Sequence, residues 1–357
     1  MRSFFPKKLL AWNKKKNRRA MPWKGEKDPY KIWLSEIILQ QTRVEQGWNY
    51  YLKFINTFPA VQQLAHAPET KVFKLWEGLG YYSRCKNLIA AAKIIDKAYN
   101  GEFPASYEKI LELPGIGPYT AAAIASFAFN LPFAVVDGNV LRVLARISGT
   151  EIPVDSAMGK AVLNKLAFEL LDKKQPGLYN QAIMDFGAVV CKPKAPACIQ
   201  CIMQKDCMAY ELGVVEKLPV KEKKIVKKNR WLYYFIITYK ARVYIRKRTA
   251  KDIWQNLHEF LLVEKNGPLN KKELLLQAPV KQLFLQKGTS VTQISRLYTH
   301  QLTHQTLHGQ FIEIKVDHSP DLGVDFVGVP YRELTRYPFP KFMITYLQEK
   351  NVNLSQH

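Results

Sequence analysis

The sequence lacks any apolar run that approaches the ~20 residues with which a helix crosses a bilayer. Its Lys/Arg-rich start also lacks the apolar centre of a secretory signal peptide. We therefore expect no membrane association and a cytoplasmic location. Cysteine is scarce, with five residues, and an odd number in an unsecreted chain favours reduced thiols or metal ligands over disulfides.

Acidic residues are also few, since 30 Asp and Glu stand against 53 Lys and Arg and leave a net charge of +23. This charge indicates a polyanionic partner, and nucleic acid and an anionic membrane surface both fit its sign. The membrane is the weaker alternative because no membrane segment is present. At 357 residues, with 47% hydrophobic and 12% aromatic content, the chain is typical of a globular protein with two domains.

The most informative stretch is 111–146, where LELPGIGPYTAAAIASFAFN is followed by AVVDGNVLRVLAR. Gly115 and Gly117 predict a tight turn, and a second helix is predicted over 119–129. The N–H groups of such a turn, beside a helix N-terminus, form a cradle for phosphate. Taken singly, Pro-Gly-x-Gly is more often an ordinary helix–helix turn, and an acid such as Asp137 is more often a cap.

A second acid lies in the segment DPYKIWLSEIILQQT. Asp28 and Pro29 predict the start of a helix, and Glu36 falls beside its apolar side. That side is formed by a stripe of four residues: Tyr30, Leu34, Ile37 and Ile38. A carboxylate placed there either serves the structure or has its pKa raised by desolvation, as a general acid requires.

Four of the cysteines fall within 17 residues in the pattern C-x6-C-x2-C-x5-C: Cys191, Cys198, Cys201 and Cys207. Pro193 and Pro196 force turns between them, so the four thiolates can enclose one metal centre. Zinc and iron–sulfur clusters both use four thiolates, and the residues alone leave the two open.

After residue 212 the character of the chain changes. Residues 213–230 hold seven Lys/Arg and two acids, which is typical of a basic linker. Beyond it, WLYYFIITYKARVYIRKR predicts a hairpin, and EFLLVE and GQFIEIKVD predict further strands. Helices are predicted over 271–285 and 339–350. The second domain is therefore expected to be α+β.

The motifs LPGIGPYTA, VDGNVLR and WLSEIILQQT, together with the cysteine spacing, resemble the adenine DNA glycosylases, the MutY family of helix-hairpin-helix-Gly/Pro-Asp proteins. The resemblance implies a mainly helical glycosylase domain over 1–212, with a [4Fe–4S] loop at 191–207, the linker at 213–230 and a Nudix-like domain over 231–357. The catalytic Nudix box is absent, so this α+β domain is expected to recognise DNA rather than to hydrolyse a substrate.

The same resemblance implies hydrolysis of the N-glycosidic bond of adenine mispaired with 8-oxoguanine or guanine, after base flipping. Glu36 is then the acid that protonates adenine, Asp137 the carboxylate that faces the sugar, and Asn139 the residue that orients Asp137. Whether Asp137 acts electrostatically or as a nucleophile stays open. Tyr119 stands where bifunctional glycosylase/lyases carry a Lys, and Tyr cannot form a Schiff base, so the enzyme is expected to be monofunctional.

Further roles follow from the resemblance residue by residue. The adenine pocket comprises Arg19, Trp23, Leu39 and Gln181. Contacts to DNA are made by Gln41, Thr42, Tyr81 of the loop WEGLGYYSRC, Gly115 and Gly117. Thr303 and His304 contact the base 8-oxoguanine. The four cysteines hold the iron–sulfur cluster. Lys24 departs from the Arg common in the family. The partner is duplex DNA with the mispair, and we expect a monomer.

Two alternatives stay open. One is an endonuclease III-like or mismatch-thymine glycosylase on the same scaffold. Glu36, Tyr119 and the presence of the second domain argue against it. The other is an iron–sulfur DNA-binding protein in which Glu36 and Asp137 are structural.

Overall fold

The structure, a computed structural model, describes residues 4–222 and 227–350. By its internal contacts the chain divides into two compact units. The first unit comprises Met1–His66 and Asn87–Lys223, and the second comprises Ala67–Lys86 and Lys224–His357. Each is a fold of its own, the first mainly helical and the second built on a sheet.

The described chain up to residue 222 contains twelve α-helices in order: α1 Phe5–Lys16, α2 Pro29–Leu39, α3 Val44–Thr57, α4 Val61–His66, α5 Glu69–Trp76, α6 Tyr82–Tyr99, α7 Tyr107–Leu111, α8 Pro118–Phe129, α9 Gly138–Ser148, α10 Ala157–Leu170, α11 Pro176–Val189 and α12 Met208–Glu211. Two turns of 3-10 helix lie between α11 and α12, at Cys198–Gln200 and Gln204–Asp206.

The predicted starts of α2 and α8 are confirmed. Asp28 caps α2, since its carboxylate accepts the Tyr30 N–H at 2.9 Å. The predicted apolar stripe of α2 is buried, and α2 packs against α8, whose five Ala side chains allow a close approach. Helix α11 packs on α1, α8 and α9, so the segment that carries Gln181 lies against the helix capped by Asp137.

The second unit holds an eight-stranded sheet: β1 Lys228–Tyr239, β2 Arg242–Lys247, β3 His258–Glu259, β4 Leu261–Lys265, β5 Ser290–Ile294, β6 Tyr298–Gln301, β7 Gln305–Lys315 and β8 Phe326–Pro330. Its strands run in the order β3-β2-β1-β7-β5, while β4 pairs with β1, β6 with β7 and β8 with β2. The central pair β1 and β7 is parallel, with Tyr233 opposite Gln310, and the other pairs are antiparallel.

The expected α+β architecture is confirmed, with two corrections. The helix predicted over 271–285 is broken into α13 Lys271–Leu275, α14 Ala278–Lys281 and a 3-10 turn at Gln282–Leu285. Pro279 explains the break, because it has no N–H to donate and its ring clashes with the carbonyl four residues earlier. The single strand predicted for EFLLVE is divided at Phe260 into β3, which pairs with β2, and β4, which pairs with β1.

Other expected elements of this unit are present. The hairpin of β1 and β2 closes over Lys240 and Ala241, both with positive φ, and the last helix is α15 Lys341–Glu349. In the described ranges no helix has the length and apolarity of a membrane span.

The unit boundaries differ from the predicted domains in one respect. Ala67–Lys86, expected within the helical domain, belongs to the second unit. Hydrogen bonds explain this, because Lys74 donates to the Tyr337 carbonyl at 3.3 Å and the Phe339 N–H donates to Glu77 at 2.8 Å. The linker predicted over 213–230 includes the start of β1 at Lys228.

The sheet of the second unit yields a test of its packing. A Cβ added at Gly309 of β7 would lie 1.7 Å from the buried ring of Phe342, whereas one added at Gly267 would meet nothing within 4 Å. We expect Gly309→Ala to lower the free energy of unfolding by about 1–3 kcal/mol, as overpacking does, and Gly267→Ala to leave it nearly unchanged. Denaturant unfolding of both variants measures this, and equal effects would contradict the packing of α15 on β7.

Candidate active site

Asp137 is the N-cap of α9, and hydrogen bonds hold both of its carboxylate oxygens. Oδ1 accepts the Val140 N–H at 2.7 Å, and Oδ2 accepts the side-chain amide of Asn139 at 2.8 Å. Arg142 donates to the amide oxygen of Asn139 at 2.9 Å and so orients that amide. The contact that an orienting role of Asn139 requires is therefore present.

Glu36 lies on α2 with only 7% of its surface exposed. Its Oε2 accepts the hydroxyl of Tyr119, from the first turn of α8, at 2.7 Å. Burial raises the pKa of Glu36 to about 7; the hydrogen bond from Tyr119 opposes this rise, and the negative charge of Asp137 adds to it. A carboxyl group with this pKa is protonated in a large fraction of molecules near neutral pH, as a general acid requires.

The two acids and Tyr119 form one electrostatic cluster. Burial raises the pKa of Tyr119 well above its usual value, and the charges of Glu36 and Asp137 raise it further, so its hydroxyl stays a donor. The pKa of Asp137 is also raised, because burial outweighs the hydrogen bonds from Val140 and Asn139 that lower it. The two carboxyl groups thus lie close together in different environments, one apolar and one rich in donors.

A cavity of about 270 Å³ opens beside Glu36. Of the residues predicted for an adenine pocket, Trp23 and Gln181 line it, and so does Lys24. Its wall also contains other residues of the first unit: Asn13, Gly25, Glu26, Lys27, Ile32, Ser35, Phe127, Gly177 and Leu178. Apolar walls with a few converging polar groups are typical of a site for a small ring system.

Arg19 and Leu39 lie outside the lining of this cavity, unlike the other two predicted pocket residues. Leu39 ends α2 and packs against Gly47 of α3. Arg19 instead donates to the carboxylate of Asp185 at 2.9 Å. Asp185 is a residue that the sequence reasoning missed, although it lies four residues after Gln181, the spacing at which helical side chains meet.

The predicted phosphate turn has the backbone that it needs. Gly115 has φ +77°, and a Cβ there would lie 2.6 Å from the Asn87 side chain, so only glycine fits without strain. Gly117 is the N-cap of α8, and a Cβ there would meet nothing within 4 Å. No side chain caps this helix N-terminus and its first turn holds no acid, which favours an anion.

Gln41 and Thr42 follow the end of α2. Gln41 is exposed and has φ +59°, a left-handed backbone that is uncommon for residues other than glycine. Thr42 closes the turn, since its N–H donates to the Leu39 carbonyl at 3.1 Å. Gln40, which precedes Gln41, donates to the Thr120 hydroxyl at 3.3 Å and ties the turn to α8.

Within the second unit, Tyr81 also has a left-handed backbone, with φ +48°, and 46% of its surface is exposed. The guanidinium of Arg84 lies 5.6 Å from the Tyr81 ring and 5.0 Å from the Trp76 ring, and it donates to the Gly80 carbonyl at 3.1 Å. The Tyr81 hydroxyl is hydrogen-bonded to that of Thr303. Tyr81, a predicted DNA contact, and Thr303, a predicted contact to 8-oxoguanine, are therefore joined within one unit.

Thr303 and His304 are exposed at the turn between β6 and β7. This turn is closed by the Leu302 N–H, which donates to the Gln305 carbonyl at 2.8 Å, while the His304 carbonyl accepts the Lys228 N–H at 3.0 Å.

The four clustered cysteines line one small cavity together with Arg146. Arg146 donates to Cys191 Sγ at 3.4 Å, and the Met203 N–H donates to Cys201 Sγ at 3.4 Å. Hydrogen bonds from N–H groups to sulfur stabilise thiolates, so this donor set suits a thiolate-bound centre. Across residues 4–222 and 227–350 no three His, Cys, Asp or Glu side chains converge as they would around one metal ion.

The chain is similar to known proteins. Residues 34–164 match the family described as HhH-GPD superfamily base excision DNA repair protein, and residues 233–349 match the NUDIX domain. The adenine DNA glycosylase of Buchnera aphidicola subsp. Baizongia pistaciae is 34% identical over 85% of this chain and 84% of that protein. The one of subsp. Schizaphis graminum is 38% identical over 72% and 74%.

Among solved structures, a thermostable thymine-DNA glycosylase superposes with a TM-score of 0.55 at 31% identity. The superposition covers 59% of this chain and 97% of that protein.

The hydrogen bond between Tyr119 and Glu36 changes the proton affinity of the Glu36 carboxyl group, and this effect can be tested. Because this bond lowers the pKa of Glu36 from the value that burial alone would give, Tyr119→Phe is expected to raise the pKa above about 7. Infrared difference spectra of the carboxyl band over a pH titration measure it. Tyr99→Phe, at the end of α6, is the matched control, and an unchanged pKa in the Tyr119 variant would contradict the assigned contact.

Proposed function

This chain belongs to the adenine DNA glycosylase family, and from that premise we propose that it removes adenine from mispairs with 8-oxoguanine or guanine. As a member of the base-excision repair glycosylases it acts on DNA and hydrolyses an N-glycosidic bond. The observation that carries the proposal is that Glu36, a buried acid in the wall of the cavity, lies within electrostatic reach of Asp137, whose oxygens accept hydrogen bonds from Val140 and Asn139.

Purine release requires a proton on the leaving base and negative charge near the sugar as positive charge develops there. We propose Glu36 as the proton donor because its pKa of about 7 leaves a proton to give at neutral pH. Asp137 supports the sugar, since hydrogen bonds from Val140 and Asn139 stabilise its ionised form. After the base departs, the ionised Glu36 is placed to activate water.

The base reaches this site only when its nucleotide leaves the duplex, which costs a few kcal/mol of pairing and stacking. We propose that the cavity lined by Trp23 and Gln181 receives the adenine. The turn at Gly115 and Gly117, with the uncapped N-terminus of α8, binds the neighbouring phosphate. The basic charge of +23 adds attraction to the backbone that does not depend on base sequence.

We assign the space left in the duplex to Gln41 and Tyr81. Both are exposed, and both have a positive φ that projects the side chain from a tight turn. Strained backbone of this kind persists where the surrounding structure holds it, and it is concentrated at functional sites. Thr42 supports the turn that carries Gln41.

For the base opposite adenine we propose contact with Thr303 and His304. The hydrogen bond between the Thr303 and Tyr81 hydroxyls supports this assignment, because it holds Thr303 beside a residue assigned to the opened duplex. The monomeric state expected from the sequence stays a prediction.

Tyr119 decides the outcome for the DNA strand. A phenol has no amine with which to form a Schiff base at the sugar, and this hydroxyl is engaged with Glu36. We therefore propose that the enzyme is monofunctional and leaves an abasic site.

We propose that Cys191, Cys198, Cys201 and Cys207 hold a [4Fe–4S] cluster. Their shared cavity and the N–H groups that face two of the sulfurs support it. When bound, the cluster would fix the fold of the 191–207 loop through four thiolate bonds. The loop's exposed Lys side chains would then be held toward phosphates.

The proposal is tested with duplexes that carry adenine opposite 8-oxoguanine, guanine or thymine, and thymine opposite guanine. We expect adenine release from the first two, and strand breaks only after treatment with alkali, because the product is an abasic site. Strand cleavage without alkali would overturn the monofunctional assignment. Preferred attack on thymine opposite guanine would overturn the proposed substrate.

The roles of the two acids are tested by Glu36→Gln and Asp137→Asn. Each is expected to lower the single-turnover rate of adenine release by at least about 10²–10⁴-fold, the range for loss of a proton-transfer group, while mispair binding is retained. Asn is also a good N-cap, so the second variant keeps α9. Glu45→Gln, an exposed acid in the first turn of α3, is the matched control. Unchanged rates in both acid variants would reduce Glu36 and Asp137 to structural residues.

A further inference from the structure

Asp185 is a fully buried carboxylate beside the base cavity, with 0% of its surface exposed. Four side-chain donors converge on it. Oδ1 accepts Arg19 at 2.9 Å and the Nε2 of Gln181 at 3.1 Å. Oδ2 accepts Asn17 at 2.8 Å and Lys24 at 2.9 Å. The donors come from the segment after α1 and from the preceding turn of α11, so one carboxylate joins two walls of the site.

This carboxylate can act only as an acceptor. Arg19 and Lys24 place two positive charges within hydrogen-bond distance, and they stabilise the ionised form in a site closed to water. An ionised carboxylate has no proton to donate. Any side chain that bonds to Asp185 must therefore present a donor.

The constraint matters most for Gln181, whose amide carries a donor at one end and an acceptor at the other. Because the Nε2 end faces Asp185, the Oε1 end is the acceptor left for the cavity that Gln181 lines. A rotation of the amide by 180° would set Oε1 against the carboxylate, with two acceptors in contact and no proton between them. Burial excludes water from relieving that repulsion.

We propose that Asp185 is a positioning residue that locks the Gln181 amide with its carbonyl oxygen toward the base, so that the site accepts a 6-amino purine and rejects a 6-keto purine. This inference rests on the proposed function. The distinction is the relevant one for an adenine–guanine mispair, since one partner carries an amine at position 6 and the other a carbonyl. A 6-keto oxygen opposite Oε1 would leave two buried acceptors unpaired.

The test compares single-turnover release of three bases from the same duplex context: adenine, hypoxanthine (the 6-keto analogue) and unsubstituted purine. In Asp185→Asn the new amide can donate to Gln181 Oε1, which frees the Gln181 amide to turn. We expect the adenine-to-hypoxanthine rate ratio to fall about tenfold or more, the cost of one buried unpaired polar group. A merely structural role would lower all three rates by one common factor.

Two further variants distinguish a loss of the Gln181 amide orientation from general damage to the structure of the site. Asn17→Ala removes a donor from Oδ2 but leaves the Gln181 contact, so the ratio is expected to stay as in the unmodified enzyme. In a Gln181→Leu background no amide remains to be oriented, so adding Asp185→Asn is expected to leave the ratio unchanged. A further change of the ratio in that double variant would overturn the proposed positioning role of Asp185.

The loss of one negative charge beside Arg19 and Lys24 can prevent folding, which circular dichroism would show. In that case Asp185→Asn is combined with Lys24→Met and compared with Lys24→Met alone, and the same fall in ratio is expected. A ratio that Asp185→Asn leaves unchanged, in an enzyme that releases adenine, would overturn this inference and leave the proposed function standing. Failure of the unmodified enzyme to release adenine would instead overturn the proposed function.

Discussion

The candidate site of the first unit depends on a hydrogen bond from Tyr119 of α8 to the buried carboxyl group of Glu36 on α2. Glu36 lies among apolar residues of α2, where an ionised carboxylate would be unfavourable without a donor. Tyr119 supplies that donor because the Ala-rich α8 packs closely on α2. The bond holds Glu36 in place but only partly offsets the effect of burial, so its pKa remains near 7.

The second acid, Asp137, is instead surrounded by hydrogen-bond donors. Asp137 stands at a helix N-terminus, where backbone N–H groups favour negative charge, and Asn139 and Arg142 extend its support into a chain of hydrogen bonds. One group is thus suited to lose a proton, and the other to face positive charge. The negative charge of Asp137 helps to raise the pKa of Glu36, so the pair is more informative than either acid alone.

The second unit combines segments that are far apart in the chain. Ala67–Lys86 carries Tyr81, and it forms hydrogen bonds to Tyr337, Phe339 and Thr303 of the same unit. Arg84 supports the Tyr81 ring and the turn at Gly80 from inside this unit. Tyr81 and Thr303 therefore lie in one unit, although the alternation of strands and helices could not indicate it.

The amino-acid sequence by itself determined the features that depend on near neighbours: the cap of α2 at Asp28, the turn at Gly115, the cap at Asp137 and the spacing of the four cysteines. Each involves contacts within a few residues, so its residue types carry the information. Only the tertiary structure decided the long-range contacts. Tyr119 reaches Glu36 across 83 positions, and Arg19 reaches Asp185 across 166. Such contacts depend on how helices pack against each other, and a local pattern does not specify that packing.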